Sequence, residues 1–220
     1  MCTCARAAYT QLRRLTDCDC RQIRKIPRGL SAEKAAGLPA VAATALHAIA
    51  LAGGWPRAPL TKNKAALVHS AAGGVGSTLL QMLRLCGYSP IVAVVGSAHK
   101  VQHCMGLGAD EVIVKDAAKG NLWHDARRAS PDGYAAIFDA NGVETLAQSY
   151  EHLSLCGKLV IYGFHSNVPK ASSLLSPMAW LGMIYKMAQM PRFDPMQMVL
   201  ESKSVSGFNL SFFASGEPDT

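Results

Sequence analysis

Three glycines, Gly73, Gly74 and Gly76, follow directly on a short apolar run of the chain. The apolar run covers residues 65–68, and residues 78–86 are strong helix formers with apolar side chains at helical spacing. The glycines are therefore predicted to lie on a turn from a strand into a helix. The first N–H groups of a helix have no partner inside it, so such a turn can bind an anion.

Between a strand and a helix, a glycine-rich turn is typical of a site for the pyrophosphate of a dinucleotide. Gly73 permits the tight turn and the close approach of the backbone, Gly74 continues the turn, and Gly76 lets the helix pack on the strand. Ala71 stands where the G-x-G-x-x-G pattern has its first glycine, which is a departure from the pattern. The predicted pyrophosphate site is lined by Ala72, Gly73, Gly74, Val75 and Gly76.

The elements that must position this turn alternate along the chain. Apolar runs predict strands at 65–69, 91–95, 111–114, 135–139, 158–162 and, last, 204–213. Helical patterns predict helices at 40–52, 75–86, 98–106 and 143–154. Nearly continuous apolar strands are typical of a sheet covered on both faces, and their alternation with helices implies right-handed β-α-β units. The predicted fold class is α/β, a Rossmann-type doubly wound parallel sheet.

Composition and charge narrow the function classes. Of the 220 residues, 50% are hydrophobic and 17% are charged, as in a globular protein. The net charge is +7, but residues 1–30 carry seven basic and two acidic side chains, so five of these charges lie there. A basic end segment is usually a solvated surface, and no nucleic-acid partner is predicted. RNA binding through residues 6–28 is the least favoured alternative.

The seven cysteines indicate free thiols in a reducing compartment. Cys2 and Cys4, like Cys18 and Cys20, are separated by one residue, whereas structural zinc sites typically use pairs two residues apart. No secretory signal pattern precedes them. We expect a cytoplasmic protein, with mitochondria as second choice because the first residues are rich in Arg.

A stretch without charged residues, 35–54, is long enough to span a bilayer. It is mostly Ala and Gly and contains Pro39, Thr44 and His47, so it is predicted to be a buried helix. His47 lies on an apolar face and is expected to be a core residue rather than a base. The other histidines are dispersed, and no pairing with Ser or Cys predicts nucleophilic catalysis.

Several motifs, in order along the chain, resemble those of the medium-chain dehydrogenases/reductases. They are KIPRGLSAE (25–33), AAGLP (35–39), TALH (44–47), VHSAAGGVG (68–76) and GLGADEVI (106–113). The variant AAGGVG resembles the zinc-independent quinone oxidoreductase branch. Residues 178–184 and 208–210 resemble relatives of the vesicle amine transport protein within that branch, and the resemblance covers about residues 20–213.

This resemblance implies a domain organisation. In the family, a GroES-like substrate domain precedes the nucleotide-binding domain, and the chain finally returns to the first domain. Residues 1–30 are expected to be a remnant of the GroES-like domain and its linker, 31–213 the dinucleotide-binding Rossmann domain, and 214–220 a tail. The chain is thus expected to be truncated at both ends. The zinc ligands of the alcohol dehydrogenase branch would lie largely in the missing part, so no metal is predicted.

The resemblance also implies a reaction, which is hydride transfer from NADPH to a quinone, an enone or an alkenal without zinc. A cofactor-binding scaffold without turnover is the alternative. No catalytic side chain is assigned, and Asp139 is either a structural cap or a cofactor contact. For the implied cofactor-lining residues, ordinary roles in turns, helix or core stay open. They are Thr44, Asn141, Gly142, Gly163, Phe164, Phe208, Asn209 and Leu210.

The choice of NADPH is expected from the end of the second strand. NAD-binding folds place an Asp or Glu there, but no acidic residue occurs between Ile91 and Ala109. Instead, Ser97 can donate a hydroxyl and Lys100 an ammonium to a 2′-phosphate. Lys115 follows the third strand, where quinone reductase relatives often present a tyrosine, and would supply a second charge.

Two segments of the sequence indicate partners in addition to a small-molecule substrate. The last strand carries no charge after Lys203, so its edge is predicted to pair with a second copy in a homodimer. The Met-rich stretch 178–198 breaks the alternation of strands and helices. A helix over 177–189 is predicted there, with an apolar face that meets substrate, membrane or a partner; plain core packing is the alternative.

Overall fold

The computed structural model describes residues 25–54, 63–115, 121–163, 185 and 189–210. Its helices are α1 (Ala32–Leu51), α2 (Gly74–Leu85), α3 (Val101–Gly106), α4 (Leu122–Ala129), α5 (Val143–Glu151) and α6 (Pro195–Glu201). Its strands are β1 (Ala66–Val68), β2 (Ile91–Val95), β3 (Glu111–Val114), β4 (Tyr134–Asp139), β5 (Leu153–Ile161) and β6 (Ser204–Gly207). A short 3-10 turn, Ala98–Lys100, leads into α3.

The strands of the described residues form one parallel sheet in the order β3-β2-β1-β4-β5-β6. The chain moves outward from β1 to β3 and then resumes with β4 on the other side of β1. This arrangement confirms the predicted α/β, doubly wound parallel fold. The order reverses between β1 and β4, where open sheets of this kind bind ligands beyond the carboxyl ends of the strands.

Two apolar layers cover the sheet, as the nearly continuous apolar strands predict. Val68, Ile91 and Phe138 belong to the layer that contains the buried residues of α1, α2 and α3. Their strand neighbours, among them Leu67 and Ile137, belong to the layer that contains residues of α4 and α5. Helix α2, which follows β1, lies in the first layer, and α5, which follows β4, lies in the second. The loops after β1 and β4 therefore leave for opposite faces of the sheet and open a crevice between them.

Helix α1 is longer than predicted, because it begins at Ala32 rather than at residue 40. Ser31 caps it by accepting a hydrogen bond from the Lys34 N–H at 3.4 Å, and Pro39 lies inside the helix. By length and composition α1 could cross a membrane, as the core helix of a soluble protein or a signal sequence also could. Only 22% of its apolar window is buried, so the prediction of a buried helix is wrong for most of its surface. Ala45, Ala48 and Ile49 are fully buried in the core that α1 shares with α2.

The ends of several other elements differ from the predictions. Strand β5 begins at Leu153 rather than 158, α5 ends at Glu151 rather than 154, and β6 ends at Gly207 rather than 213. An exposed stretch with Cys156 at a φ of 61° interrupts the apolar pattern of β5 and obscures its start. Helices α4 and α6 are short and were not predicted. The proposed domain remnant, the tail and the helix 177–189 lie largely or wholly outside the described residues.

Candidate functional site

The glycine turn begins α2 with its backbone exposed. Helix α2 starts at Gly74, and Gly73 precedes it with no side-chain hydrogen bond to cap the helix in the part of the chain that is described. The N–H groups of the first helical turn therefore point outward, as an anion site requires. This arrangement fits the pyrophosphate of a dinucleotide.

Close packing requires glycine at position 76. A Cβ on Gly76 would lie 2.6 Å from the Ser70 carbonyl oxygen and 2.7 Å from both Cα and O of Ala71. A Cβ on Gly73 would lie 3.2 Å from the same Ser70 oxygen, and one on Gly74 would lie 3.0 Å from Val41 of α1. Only glycine lets α2 approach the end of β1 this closely, as predicted for Gly76.

The alanine that replaces the first glycine of the pattern is compatible with this turn. Ala71 is fully buried, and its N–H donates to the Val94 carbonyl at 3.0 Å. The left-handed conformation falls one residue earlier, on Ser70 with a φ of 52°. Its carbonyl accepts a hydrogen bond from the Gly73 N–H at 2.9 Å, which closes the turn.

Asp139 organises the other wall of the crevice, at the end of β4. Its Oδ1 accepts hydrogen bonds from the N–H groups of Asn141 at 2.8 Å and Gly142 at 3.2 Å. Its Oδ2 accepts from Thr145 Oγ1 at 2.6 Å and from Ser149 Oγ at 3.1 Å. Asp139 is fully buried, and these four donors satisfy its carboxylate in place of water.

A hydrogen bond joins the two walls. Ser70 Oγ donates to Asn141 Oδ1 at 2.7 Å across the crevice between β1 and β4. Gly142, next to Asn141, has a φ of 96° and is the residue from which α5 starts. Asn141 and Gly142 were predicted to line the cofactor, and the structure places both opposite the glycine turn.

His69, the residue after β1, completes the buried network. Its Nε2 lies 3.1 Å from Ser149 Oγ and 3.8 Å from Asp139 Oδ2. Since Ser149 donates its hydroxyl proton to Asp139, it accepts a proton from His69, which assigns the neutral Nε2–H tautomer. Burial lowers the pKa of His69, the Asp139 carboxylate opposes this effect, and Lys115 adds to it. His69 Nδ1 has no hydrogen-bond partner among the described residues.

In the sequence, His69 is one of several dispersed histidines and was not connected with Asp139. The two residues are 70 positions apart, and only the pairing of β1 with β4 brings them together. A signal exists in the strand ends. His69 directly follows one apolar strand and Asp139 ends another, so the sequence places both at the carboxyl edge of the predicted sheet, although it does not show that their strands are neighbours.

Other predicted cofactor-lining residues lie around the same edge of the sheet. Thr44 Oγ1 donates to the Ala40 carbonyl of its own helix at 2.7 Å, which is the structural role left open for it. The ring of His47 on α1 contacts that of Phe208 edge-on, with 4.6 Å between centroids. Gly163 lies against Ala140, since a Cβ on it would be 3.3 Å from the Ala140 carbonyl. Asn209 and Leu210 follow Phe208, and Phe164 lies outside the described residues.

The residues predicted to bind a 2′-phosphate are divided between two positions. Ser97 and Lys100 share the short turn after β2, where the Lys100 N–H donates to the Ser97 carbonyl at 3.2 Å. Lys115 is tied to the end of β2 by a hydrogen bond from its N–H to the Val95 carbonyl at 2.8 Å. Its ammonium, however, lies 3.3 Å from the Glu144 carboxylate at the start of α5. Lys115 is thus already paired with an acidic side chain.

The described residues do not fit a zinc ion. They contain no group of three or more His, Cys, Asp or Glu side chains placed to hold a metal. Cys86 and Cys104 are buried, and burial raises the pKa of both thiols. The two C-x-C motifs of residues 1–24 are outside the described part of the chain. The expectation of no metal therefore stays a prediction.

The chain matches the family described as zinc-binding dehydrogenase over residues 74–217. Three curated proteins illustrate its relatives. The highly reducing polyketide synthase ALT1 of Alternaria alternata is 31% identical over 67% of this chain and 6% of the synthase. The synaptic vesicle membrane protein VAT-1 of Tetronarce californica is 28% identical over 84% of this chain and 45% of its own. The chloroplastic NADPH-dependent alkenal/one oxidoreductase of Arabidopsis thaliana is 30% identical over 68% of this chain and 36% of its own.

The same fold occurs in solved structures. The quinone oxidoreductase of Thermus thermophilus, determined also in complex with NADPH, superposes with a TM-score of 0.64. It is 22% identical, and the match covers 89% of this chain and 52% of the Thermus chain. This chain therefore spans about half the length of that protein and less than half of each of the three curated relatives above.

Proposed function

We propose that this chain, which belongs to the medium-chain dehydrogenase/reductase superfamily, binds NADPH in the crevice between β1 and β4. The chain is similar to the quinone and alkenal oxidoreductases of that superfamily. We propose further that the bound cofactor reduces a quinone or a conjugated carbonyl without zinc. The observation that carries the proposal is the uncapped start of α2 at the glycine turn, beside the point where the strand order reverses.

The residues of this chain would bind and orient the cofactor. The N–H groups at the start of α2 meet the pyrophosphate, and the loop of Asn141 and Gly142 forms the facing wall. The turn with Ser97 and Lys100 receives the adenosine end, where no carboxylate from residues 92–108 repels a 2′-phosphate.

At the opposite end, Phe208 and His47 form an aromatic contact between α1 and the segment after β6. We propose that this contact forms one wall of the nicotinamide end of the crevice. When bound, the reduced nicotinamide supplies the hydride, so the protein needs orientation more than acid–base side chains.

Two named relatives support the choice of cofactor and substrate. The Arabidopsis relative is named for NADPH and for alkenals and alkenones, and the Thermus neighbour is a quinone oxidoreductase determined with NADPH. Both reactions transfer a hydride from the reduced nicotinamide to a conjugated, electron-poor carbonyl system. We therefore propose the shared class, electrophilic quinones and conjugated carbonyls, for this chain.

The test mixes the purified chain with NADPH and either 1,4-benzoquinone or an unbranched 2-alkenal, and follows the near-ultraviolet absorbance of the reduced nicotinamide. We expect protein-dependent loss of absorbance with at least one acceptor. Tight NADPH binding with no turnover of either acceptor would contradict hydride transfer and favour the cofactor-binding scaffold. Failure to bind NADPH would contradict the proposed site itself.

A further inference from the structure

We propose that Asp139 is a positioning residue of the dinucleotide site, which acts through Asn141 and Ser70 on the glycine turn. This inference rests on the proposed function, because it concerns the shape of the same crevice. Asp139 lies at the end of β4, and it is fully shielded from solvent. It therefore acts through the residues that bind to it rather than by contact with the cofactor.

The backbone of Ser70 determines how closely the glycine turn can be packed. Its carbonyl accepts the Gly73 N–H, and the same oxygen occupies the space where a Cβ on Gly76 would lie, at 2.6 Å. Ser70 holds this carbonyl in place with a left-handed φ of 52°. L-residues adopt that conformation only where the surroundings enforce it.

The side chain of Ser70 shows what enforces it. Ser70 is exposed, and its hydroxyl donates to Asn141 Oδ1 at 2.7 Å. Asn141 is in turn held by the hydrogen bond from its N–H to Asp139 Oδ1, which also accepts from Gly142. Strain at Ser70 is thus opposed by a short path of hydrogen bonds that ends on one buried carboxylate.

The other oxygen of that carboxylate is anchored in the core. Thr145 and Ser149, both on α5 and both buried, donate to Asp139 Oδ2. Behind Ser149, His69 donates from Nε2, so every proton of this network points towards Asp139. The direction of the whole network is therefore determined by a residue at position 139 that accepts hydrogen bonds at both of its side-chain oxygens.

The substitution Asp139→Asn tests this direction with little change in shape. The new amide keeps one acceptor for the Asn141 and Gly142 N–H groups but places an NH₂ donor against Thr145 and Ser149. Ser149 must then turn its hydroxyl proton towards His69 Nε2. The imidazole proton moves to Nδ1, which has no hydrogen-bond partner among the described residues.

The experiment titrates NADPH alone, without an acceptor, into the wild type and three variants. We expect Asp139→Asn to weaken NADPH binding by about tenfold or more, because a neutral amide oxygen holds the Asn141 and Gly142 N–H groups less strongly than the carboxylate does. We expect Ser70→Ala, which leaves the buried network intact, to weaken NADPH binding as well. Tyr134→Phe is the matched control.

Tyr134 lies at the opposite end of the same strand, and it donates a buried hydrogen bond to the Ala126 carbonyl at 2.6 Å. Loss of this hydrogen bond lowers the free energy of unfolding without changing the crevice. Tyr134→Phe should therefore bind NADPH as the wild type does. Wild-type affinity in both Asp139→Asn and Ser70→Ala would overturn the proposal. So would an equal loss of affinity in Tyr134→Phe, because the effect would then follow stability alone.

Nuclear magnetic resonance of the ligand-free protein separates this inference from the proposed function. In Asp139→Asn we expect the amide resonances of Gly73, Gly74 and Gly76 to move and the ring nitrogen shifts of His69 to report the Nδ1–H tautomer. Unmoved glycine resonances would overturn the positioning role even if NADPH binds. Moved resonances in a protein that does not bind NADPH would support the positioning role and contradict the proposed function.

Discussion

His69 and Asp139 lie 70 residues apart in the chain, and their side chains meet in the core with 3.8 Å between His69 Nε2 and Asp139 Oδ2. Both side chains are fully buried. Ser149 bridges them by donating to the carboxylate and accepting from the imidazole. This relationship connects the ends of β1 and β4, which form the two walls of the crevice, and it makes the stability of that region depend on a neutral histidine.

Acid should destabilise the protein through His69. Burial lowers its pKa, with Asp139 opposing and Lys115 adding to the shift, so the unfolded chain binds a proton more readily than the folded one. The unfolding free energy then falls as the pH drops below about 6.5, by up to about 1.4 kcal/mol per pH unit. The loss continues until the pH reaches the lowered pKa of the folded state.

The measurement for this prediction is the melting temperature between neutral pH and the mildly acidic range, in the wild type and in His69→Gln. The Gln side chain can donate to Ser149 but does not titrate. We expect the melting temperature of the wild type to fall more steeply with acid than that of the variant. Parallel curves would show that the charge of His69 does not enter the folding equilibrium.

Adding a methyl group to Gly76 should destabilise the protein. A Cβ at this position would meet backbone atoms of Ser70 and Ala71 at 2.6–2.7 Å, and backbone cannot move aside as a flexible side chain can. We expect Gly76→Ala to lower the free energy of unfolding by about 1–3 kcal/mol, the range for overpacking, and to reduce NADPH binding.

Gly106→Ala is the matched control for that substitution. Gly106 ends α3, and a Cβ on it would meet nothing within 4 Å. Urea unfolding should show no loss of stability in this variant. Equal stability of Gly76→Ala and Gly106→Ala would mean that the close approach of α2 to β1 does not restrict position 76.

We expect a homodimer formed through the outer edge of β6, the edge that faces away from β5. This strand pairs with β5, and within the described residues the sheet order ends with it. The Phe208 N–H donates to the Ile161 carbonyl of β5, so by alternation the Gly207 N–H points away from β5. Gly207→Pro would remove that outward donor and leave the pairing with β5 intact.

Light scattering at micromolar concentration checks the dimer. We expect twice the mass of the chain for the wild type and for Gly207→Ala, because the atom nearest to a Cβ on Gly207, the Ile161 carbonyl oxygen, would be 3.9 Å away. Gly207→Pro should shift the protein towards the monomer. A monomeric wild type would rule out pairing through this edge.

Local patterns predicted most of the sheet, because each strand is a short apolar run between turn residues. Strand β2 has the predicted bounds, 91–95, since Pro90 and Gly96 flank it. Helix α4 escaped prediction because its eight residues carry four charged or histidine side chains and bury only Leu122 and Ala126. The apolar face of α4 is too short to give a helical pattern among its polar residues.

Contacts between distant residues could be predicted only in part. The glycine turn was identified because its residues are adjacent in the sequence, and Asn141 and Gly142 because of the family resemblance. The network of His69, Ser149 and Asp139 depends on which strands pair, and that information is in no local pattern. The pairing of Lys115 with Glu144 was missed for the same reason, although it changes what Lys115 offers to a phosphate.

Separate titrations of NADPH and NADH into the wild type, Lys100→Ala and Lys34→Ala test the central claim most directly. Lys34 is exposed at the start of α1 and controls for the loss of one positive charge. We predict that the wild type and Lys34→Ala bind NADPH about tenfold or more tightly than NADH, because a charge-assisted hydrogen bond to the 2′-phosphate contributes about 1.5–3 kcal/mol. Lys100→Ala should lose most of this preference while its NADH affinity stays unchanged. Equal affinity of the wild type for both cofactors would contradict the claim that this site selects NADPH. An equal weakening of NADPH and NADH binding in Lys100→Ala would contradict the role of Lys100 in that selection.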